Sequence, residues 1–198
     1  MVFQNIKGDY IMNFKELDYK CFNFINNKVQ QYPLIDNVMI IFAEYVQYAF
    51  VLLIILLWIK NKTNFRAMVF QSIFAITLAY CINRIIELFI YRERPFISHN
   101  IKQLVDHAAN SSFPSDHATA AIVIATTLWL SAYHSKYIWF LLALGVAFSR
   151  VWVGVHYPLD IIAGIVHGIL IALFTRYVVF RTRTVVSFLK KPIFQGRG

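Results

Sequence analysis

The stretch Phe113-Pro114-Ser115-Asp116-His117 stands where a long polar segment gives way to an apolar one. Pro114 ends the polar segment, and Ser115 and Asp116 are residue types that favour the N-terminus of a helix. The apolar run begins at His117, which predicts that this histidine lies in the first helical turn. Unpaired backbone N–H groups and the positive end of the helix dipole favour an anion at such a place.

A second stretch, SRVWVGVHYPLD over residues 149–160, supplies an arginine, a histidine and an aspartate. Its Gly154 allows the chain to reverse, and Pro158 suits the first turn of another helix. The central prediction is that this stretch and the helix start at His117 meet at one phosphate.

The composition is typical of a membrane protein. The 198 residues are 59% hydrophobic and only 15% charged, outside the usual balance of a soluble chain. We interpret the net charge of +9 as basic loops that face the cytoplasm and anionic lipid. The basic residues are scattered among apolar segments and form no stripe, which argues against nucleic-acid binding.

The apolar segments predict an all-α fold, a polytopic membrane helix bundle of about five transmembrane helices that forms one domain over residues 1–198. An N-terminal interfacial segment, 1–34, contains an amphipathic helix that either lies on the membrane surface or packs on the bundle. Residues 181–198 are predicted to be a basic cytoplasmic tail. The predicted spans are 38–59, 67–91, 117–133, 137–153 and 159–180.

Five spans would place the two chain ends on opposite sides of the membrane. The basic loop 60–66, Lys136 and the tail then share one face, taken as cytoplasmic because basic loops favour that side. The polar segment 95–116 and the turn at Gly154 share the other face. The predicted phosphate site therefore faces the outside of the cell.

Two charged side chains, Arg84 and Glu87, lie in the second half of the predicted span 67–91. They are three residues apart on a helix, so a structural ion pair and a contact to substrate are equally compatible with the spacing. The long polar segment 95–116 is of a kind that usually carries function. Its His107 is interpreted first as a solvated or hydrogen-bonding residue and second as a substrate contact.

Cleavage of a phosphoester or phosphoanhydride needs groups that hold the anion, a nucleophile, and an acid for the departing oxygen. Arg94 and Arg150 can hold phosphate oxygens through their planar guanidinium groups. Ser115 and the backbone N–H groups that follow it can add further donors.

Two histidines and an aspartate can supply the chemistry. His156 can attack phosphorus as a neutral imidazole, and Asp160, about one helical turn further on, can accept from its other ring nitrogen. His117, if protonated, can donate to the leaving oxygen. The same three residues could also bind a metal, but two arginines directed at one point would repel a cation and favour an oxyanion.

Three groups of residues follow one another along the chain: Arg94-Pro95, Pro114-Ser115-Asp116-His117 and Ser149-Arg150-x5-His156-x3-Asp160. In order and spacing, they resemble the signature of the type 2 phosphatidic acid phosphatase superfamily. Within it, the chain is similar to the bacitracin-resistance type of undecaprenyl-diphosphate phosphatase, a small bacterial membrane enzyme, most strongly over residues 80–165.

The resemblance implies a phosphatase in the bacterial plasma membrane, with an outward-facing site and no metal or other cofactor. It implies hydrolysis of a polyprenyl diphosphate lipid through a phosphohistidine, in support of carrier-lipid recycling and bacitracin resistance. The histidine roles given above are those of the superfamily. The sequence leaves open whether the chain forms a homo-oligomer.

Two positions depart from the superfamily pattern. Glu87 stands seven residues before Arg94, where the superfamily usually has a lysine that holds phosphate. Glu87 could pair with Arg94, or Arg84 or Arg92 could supply the missing charge, and the sequence does not choose between these. Asp116 stands where glycine is usual, although the bacitracin-resistance group tolerates aspartate there. Its carboxylate would repel phosphate unless it points away, caps the helix or contacts the following histidine.

Two alternative functions remain open at this point. The first is a phosphatase for phosphatidic acid or phosphatidylglycerol phosphate, which would use the same residues. The second is a transporter or binding protein for bacitracin or a lipid, for which the intramembrane Arg84 and Glu87 are the support.

Overall fold

The computed structural model describes residues 2–60 and 62–179 of the chain. The described residues are mostly helical and contain no strand, which confirms the all-α class. The predicted tail 181–198 lies outside the described residues. The helices are α1 (Val2–Asn26), α2 (Pro33–Glu44), α3 (Val46–Ile59), α4 (Thr63–Phe89), α5 (Pro95–Ser98), α6 (Asp116–Leu130), α7 (Lys136–Trp152) and α8 (Pro158–Phe174), which continues as a π-helical turn, Thr175–Val179.

Each of the five predicted spans coincides with a helix or a pair of helices. Two described helical segments, Asn64–Phe89 and Pro158–Val179, are long and apolar enough to cross a membrane, with mean hydropathies of 1.6 and 1.9. The first predicted span is broken, because α2 and α3 are bent by 41° where they meet at Tyr45. If this pair is one span, length and composition support three spans among the described residues.

The outer surface of the bundle is apolar, as expected where lipid replaces water. Leu52 and Ile55 of α3, Leu141 of α7 and Leu170 of α8 are each about half exposed or more. A soluble monomer rarely exposes so many large apolar side chains on its helices. The exposed apolar faces and the long apolar helices are those of a membrane protein.

Helix α6 is the centre of the bundle and packs against α4, α7 and α8. It approaches α8 closely because two glycines of α8 face it. A Cβ atom at Gly164 would lie 2.9 Å from the carbonyl oxygen of Ser115, and one at Gly168 would lie 2.9 Å from that of Thr119. The close packing fixes the start of α6 relative to α8, as small residues do at other membrane helix interfaces.

The helix starts at the predicted phosphate site follow local rules. Ser115 is the N-cap of α6, with its hydroxyl oxygen facing the Ala118 N–H at 3.5 Å. Pro158 opens α8, where the Asp160 carboxylate accepts from the Tyr157 N–H at 2.8 Å. The preceding reversal needs Gly154, whose φ is +87° and whose absent Cβ leaves room for the Lys102 carbonyl.

The second half of α1 packs on the bundle, which is one of the two readings left open by the sequence. Phe22 is fully buried, with its ring centroid 5.4 Å from that of Tyr157. The Asn26 amide exchanges hydrogen bonds of 2.7 and 3.0 Å with the backbone of Lys102. Phe14 and Phe24 remain more than 60% exposed, so the same helix keeps an apolar outer face.

The two ends of the bundle differ in chemistry. At one end, Phe65 near the start of α4 contacts Tyr133 beyond α6, next to the basic residues Lys62 and Lys136. At the other end, the segment 90–115 meets the turn between α7 and α8 through a bond of 3.1 Å from the Leu104 N–H to the Val153 carbonyl. All three sequence motifs collect at this second end.

The Gly164 contact generates a test of the α6–α8 interface. Replacement of Gly164 with alanine should destabilise the fold by about 1–3 kcal/mol, because the new methyl group meets a rigid backbone carbonyl. The measurement is the thermal unfolding temperature in detergent. Val166→Leu, on the exposed face of the same helix, is the control and should leave that temperature unchanged. An equal response of the two variants would contradict the packing described.

Candidate active site

His156 occupies the turn before α8 and is 2% exposed. Its Nδ1 lies 2.8 Å from the carbonyl oxygen of Ser112, which can only accept, so Nδ1 carries the proton. Its Nε2 lies 3.1 Å from Nη1 of Arg94, which can only donate, so Nε2 carries a lone pair. The surroundings therefore select the tautomer in which Nε2 is free to act as a nucleophile.

Arg94 is 4% exposed and is held in a fixed orientation by neutral oxygen atoms. Its Nε and Nη2 donate to the side-chain oxygen of Asn110 at 3.0 and 2.9 Å. Its Nη1 donates to the carbonyl of Val155 at 2.9 Å, and Nη2 donates to that of Ser111 at 3.1 Å. None of these acceptors is charged, so the guanidinium keeps its full positive charge beside the His156 ring.

Arg150 of α7 is 1% exposed and reaches towards the end of α2. Its Nη1 donates to the carbonyl of Ala43 at 2.9 Å and lies 3.7 Å from a carboxylate oxygen of Glu44. Among the described residues, its buried Nε has no hydrogen-bond acceptor. A buried guanidinium with an unused donor is suited to an anion, which would supply the missing acceptor.

His117 lies in the first turn of α6, as predicted. The His107 ring is near both this histidine and the nucleophile candidate, with its centroid 6.3 Å from those of His117 and His156. The His117 side chain also lines an apolar cavity of about 240 Å³ among α3, α4 and α6, together with Gln47 and Tyr80. Three imidazoles thus meet at the end of the bundle where Arg94 lies.

Asp160 lies near His156 but does not accept from it within hydrogen-bond distance. The nearer carboxylate oxygen is 3.6 Å from Nδ1, and the Ser112 carbonyl takes the place that the sequence reasoning gave to Asp160. The other Asp160 oxygen accepts from Nη1 of Arg92 at 2.8 Å. Its contribution to His156 is therefore a nearby negative charge rather than a direct hydrogen bond.

Arg84 links the two residues that depart from the superfamily pattern. Its Nη1 lies 2.5 Å from Glu87, and its Nη2 contacts Asp116 in a short ion pair. Asn83 also donates to the Asp116 carboxylate, at 2.7 Å. Glu87 therefore pairs with Arg84 and not with Arg94, and the Asp116 carboxylate is drawn towards α4.

These contacts show that neither Arg84 nor Arg92 takes the place of the usual phosphate-holding lysine. Arg84 lies between two carboxylates, and Arg92 lies between those of Asp160 and Asp18. Neither guanidinium is left with a free charge to hold phosphate. In the part of the chain that the structure describes, Arg94 and Arg150 are the cations at this site whose hydrogen bonds go to neutral oxygens.

A family model for the PAP2 superfamily matches residues 68–184. The chain belongs to the PAP2 superfamily. This confirms the resemblance read from the three motifs.

Curated PAP2 relatives match most of the chain. It is 35% identical over 183 residues to the "Bacitracin transport permease protein BcrC" of Bacillus licheniformis, covering 92% of this chain and 88% of that protein. It is 33% identical to the "Undecaprenyl-diphosphatase BcrC" of Bacillus subtilis, covering 81% and 84%. Among solved structures, LpxE of Aquifex aeolicus superposes with a TM-score of 0.69 at 31% identity, covering 81% of this chain and 94% of that one. The fold is therefore a PAP2 membrane fold.

Several residues of the site could not be found from the sequence motifs. Ser112 and Ala43 act through backbone carbonyls, which every residue type possesses. Asn110 lies in the polar segment that was expected to be functional, but its side-chain contact with Arg94 needs the fold. Asp18, far away in sequence on α1, reaches the site through Arg92.

The described residues contain no group of three or more histidine, cysteine, aspartate or glutamate side chains arranged to hold a metal ion. His117, His156 and Asp160, the ligand set considered from the sequence, do not form such a group. The geometry of the two arginines instead suits an oxyanion.

The electrostatics of the turn favour a neutral imidazole. Burial lowers the pKa of His156 well below its usual value, and the positive charges of Arg94 and Arg150 lower it further. Burial and the same arginines also lower the pKa of His107 in the polar segment. In the absence of an anion, both rings are held in the uncharged form.

The low pKa of His156 generates a prediction about stability. Below the ordinary histidine pKa of about 6.5, the unfolded chain binds a proton that the folded site resists, so stability should fall as pH falls. For one histidine the slope is at most about 1.4 kcal/mol per pH unit. The unfolding temperature in detergent should drop less between neutral and acidic pH for His156→Gln than for the unchanged protein. Parallel curves for the two proteins would contradict a depressed His156 pKa.

The charge network at Arg84 predicts unequal effects from two isosteric changes. Arg84→Gln leaves the carboxylates of Glu87 and Asp116 facing each other without a cation, whereas Glu87→Gln keeps the Arg84–Asp116 pair. We expect Arg84→Gln to lower stability by about 1 kcal/mol more than Glu87→Gln, a modest value because these groups are partly exposed to solvent. Thermal unfolding of both variants measures the difference. A larger loss for Glu87→Gln would show that the network is assigned wrongly.

Proposed function

We propose that this protein hydrolyses undecaprenyl diphosphate to undecaprenyl phosphate and inorganic phosphate at the outer face of a bacterial plasma membrane. The observation that carries the proposal is the tautomer of His156, with Nδ1 protonated and Nε2 free beside Arg94. Membership of the PAP2 superfamily and the B. subtilis relative named as an undecaprenyl-diphosphatase support the reaction and the substrate.

The terminal phosphate binds first, between the arginines and the start of α6. Its oxygens accept from Arg94 Nη1, which faces Nε2 of His156 in the structure, and from Nε of Arg150, which has no acceptor among the described residues. Backbone N–H groups after Ser115 add donors at the positive end of the α6 dipole. Because a phosphate oxygen takes the Arg94 donor, the His156 lone pair is released to face phosphorus.

The first chemical step forms a covalent intermediate. Nε2 of His156 forms a bond to phosphorus as the bridging P–O bond breaks, and His117, which enters this step in its protonated form, gives that proton to the departing oxygen of undecaprenyl phosphate. The imidazole becomes cationic, with its Nδ1–H held by the Ser112 carbonyl at 2.8 Å and the Asp160 carboxylate 3.6 Å away. Both neighbours stabilise the charge that develops.

The second step restores the enzyme. His117, now neutral, takes a proton from water as the water oxygen attacks phosphorus and the P–N bond breaks. Inorganic phosphate leaves, and both histidines return to their starting protonation states. The net reaction consumes one water molecule and needs no metal or other cofactor.

The first part of the lipid chain, next to the diphosphate, can lie in the apolar cavity beside His117. That cavity lies among α3, α4 and α6, next to the residue that protonates the leaving oxygen. A prenyl chain in the cavity would attach to the oxygen that departs in the first step. The site is thus suited to a diphosphate carried on a hydrocarbon chain.

The proposed orientation rests on the distribution of charge between the two ends of the bundle. Lys62 and Lys136 lie at the end opposite the site, and basic residues favour the cytoplasmic side. A multi-pass chain in this orientation exposes His156 to the outer leaflet. Release of carrier lipid phosphate there would support cell-wall synthesis and protect against bacitracin.

Replacement of His156 with alanine should abolish phosphate release from undecaprenyl diphosphate, because the nucleophile is removed. The assay measures inorganic phosphate from purified protein in detergent, with a metal chelator present throughout. His134→Ala changes a histidine at the opposite end of the bundle and should retain full activity. Turnover by the alanine variant at position 156 would reject the phosphohistidine mechanism.

The same assay separates the competing functions. Side-by-side hydrolysis of undecaprenyl diphosphate, phosphatidic acid and phosphatidylglycerol phosphate should show preference for the diphosphate. Faster hydrolysis of either phospholipid would assign the site to that lipid. Bacitracin resistance in cells without phosphate release in vitro would instead support a transporter or a binding protein.

A further inference from the structure

A carboxylate on the N-terminal helix reaches the active site from outside the three sequence motifs. Asp18 of α1 has a side chain only 1% exposed. One carboxylate oxygen accepts from the Leu159 N–H at the start of α8, at 2.9 Å. The other lies 2.5 Å from Nη2 of Arg92. This one side chain therefore contacts both a helix terminus and a partly buried cation.

Arg92 connects that carboxylate to the candidate catalytic residues. Its other terminal nitrogen, Nη1, donates to Asp160 at 2.8 Å. Its guanidinium lies over the ring of Tyr157, with 3.9 Å between the guanidinium carbon and the ring centroid. The cation is therefore fixed in place between two carboxylates, one from α1 and one from α8.

The chain of contacts ends at the nucleophile. Asp160 is fully buried, and its second oxygen lies 3.6 Å from Nδ1 of His156. Asp18, Arg92, Asp160 and His156 thus form a continuous series, in which each member lies within 4 Å of the next.

We propose that Asp18 is a positioning residue of the active site, which acts through Arg92 and the start of α8 to hold Asp160 beside His156. The proposal rests on the nucleophilic role given to His156 above. It makes the N-terminal helix a part of the catalytic unit rather than only an attachment to the membrane.

Asp18 acts in this role through its negative charge, which adds to that of Asp160 near the His156 ring. If Arg92 had Asp160 as its only partner, the pair would be neutral and would do little for a cationic imidazole. Because Arg92 is shared with Asp18, the group of three keeps a net negative charge near the ring. The phosphohistidine is the species that such a charge stabilises.

The other groups around His156 do not supply this charge. Arg94 and Arg150 act on the ring as positive charges, and His107 and His117 are imidazoles within the same electrostatic neighbourhood. The Ser112 carbonyl is neutral. Asp160, together with the carboxylate that shares Arg92, therefore provides the negative charge that balances the cationic intermediate.

The discriminating variant is Asp18→Asn, since asparagine keeps an oxygen that can accept from the Leu159 N–H but carries no charge for Arg92. We expect kcat for phosphate release to fall by about tenfold or more, with KM within about twofold, because the intermediate and not the bound substrate is affected. Asp18→Glu, which restores the charge, should recover a large part of kcat. In an Arg92→Gln background, Asp18→Asn should have little further effect.

Two controls separate positioning from simple attachment of α1. Glu16→Gln removes an exposed carboxylate on the same helix that pairs with Lys20, and should leave kcat unchanged. Asn26→Ala removes the hydrogen bonds between α1 and Lys102 at a position that does not contact Arg92. This variant should lower the unfolding temperature and leave kcat nearly unchanged. If Asn26→Ala lowers kcat as much as Asp18→Asn does, or if Asp18→Asn retains full kcat, the positioning role is rejected.

An NMR titration of His156 needs no substrate, so it tests the role of Asp18 separately from the proposed function. In protein with 15N-labelled histidines, Asp18→Asn should shift the titration of His156 to lower pH, because a negative charge near the ring is lost. An unchanged His156 titration overturns the inference even if undecaprenyl diphosphate is the substrate. Failure of the unchanged protein to release phosphate would reject the proposed function alone, and the titration would still decide the role of Asp18.

Discussion

The site depends on how four guanidinium groups are satisfied at one end of an apolar bundle. A buried arginine must have acceptors, and the kind of acceptor decides what charge remains. Arg84 and Arg92 each lie between two carboxylates, so their charge is fully compensated. Arg94 instead donates to carbonyl and amide oxygens, which satisfy N–H groups without cancelling charge. Arg150 donates to the Ala43 carbonyl, and the one carboxylate near it, that of Glu44, is partly exposed and 3.7 Å away. The bundle thus contains two arginines that each pair with two carboxylates, and two less compensated arginines that the proposed function assigns to the phosphate.

The pairing of Arg84 with two carboxylates explains how the chain accommodates Glu87 and Asp116, the two positions that depart from the superfamily pattern. Glu87 at the usual lysine position and Asp116 at the usual glycine position would together repel phosphate. Arg84 joins them into one network, so the two changes compensate each other. In the proposed site, the remaining attraction for phosphate comes from Arg94 and Arg150, which stand where the superfamily motifs place them.

The sequence was informative wherever the controlling physics is local. Ser115 and Pro158 mark helix starts because capping and proline geometry act within a few residues, and both helices begin there. The motif spacing placed His117 and His156 at the same end of the bundle. The bend at Tyr45 was missed, because apolar composition does not reveal a break within one hydrophobic run. The Ser112 carbonyl next to His156 was also missed, because a backbone oxygen has no residue-specific signature, and it displaced Asp160 from the predicted hydrogen bond.

The unused Nε–H of Arg150 has a further consequence for the catalytic cycle. Among residues 2–60 and 62–179 this buried donor has no acceptor, and a phosphate oxygen that reached it would gain a hydrogen bond worth about 1–3 kcal/mol. That gain is the same whether the phosphate is still attached to lipid or already free. Such uniform binding does not favour the transition state, and it slows the departure of inorganic phosphate as much as it strengthens capture of the substrate. If Arg150 binds the phosphate as proposed, inhibition by inorganic phosphate is therefore expected from the same N–H group that attracts the substrate.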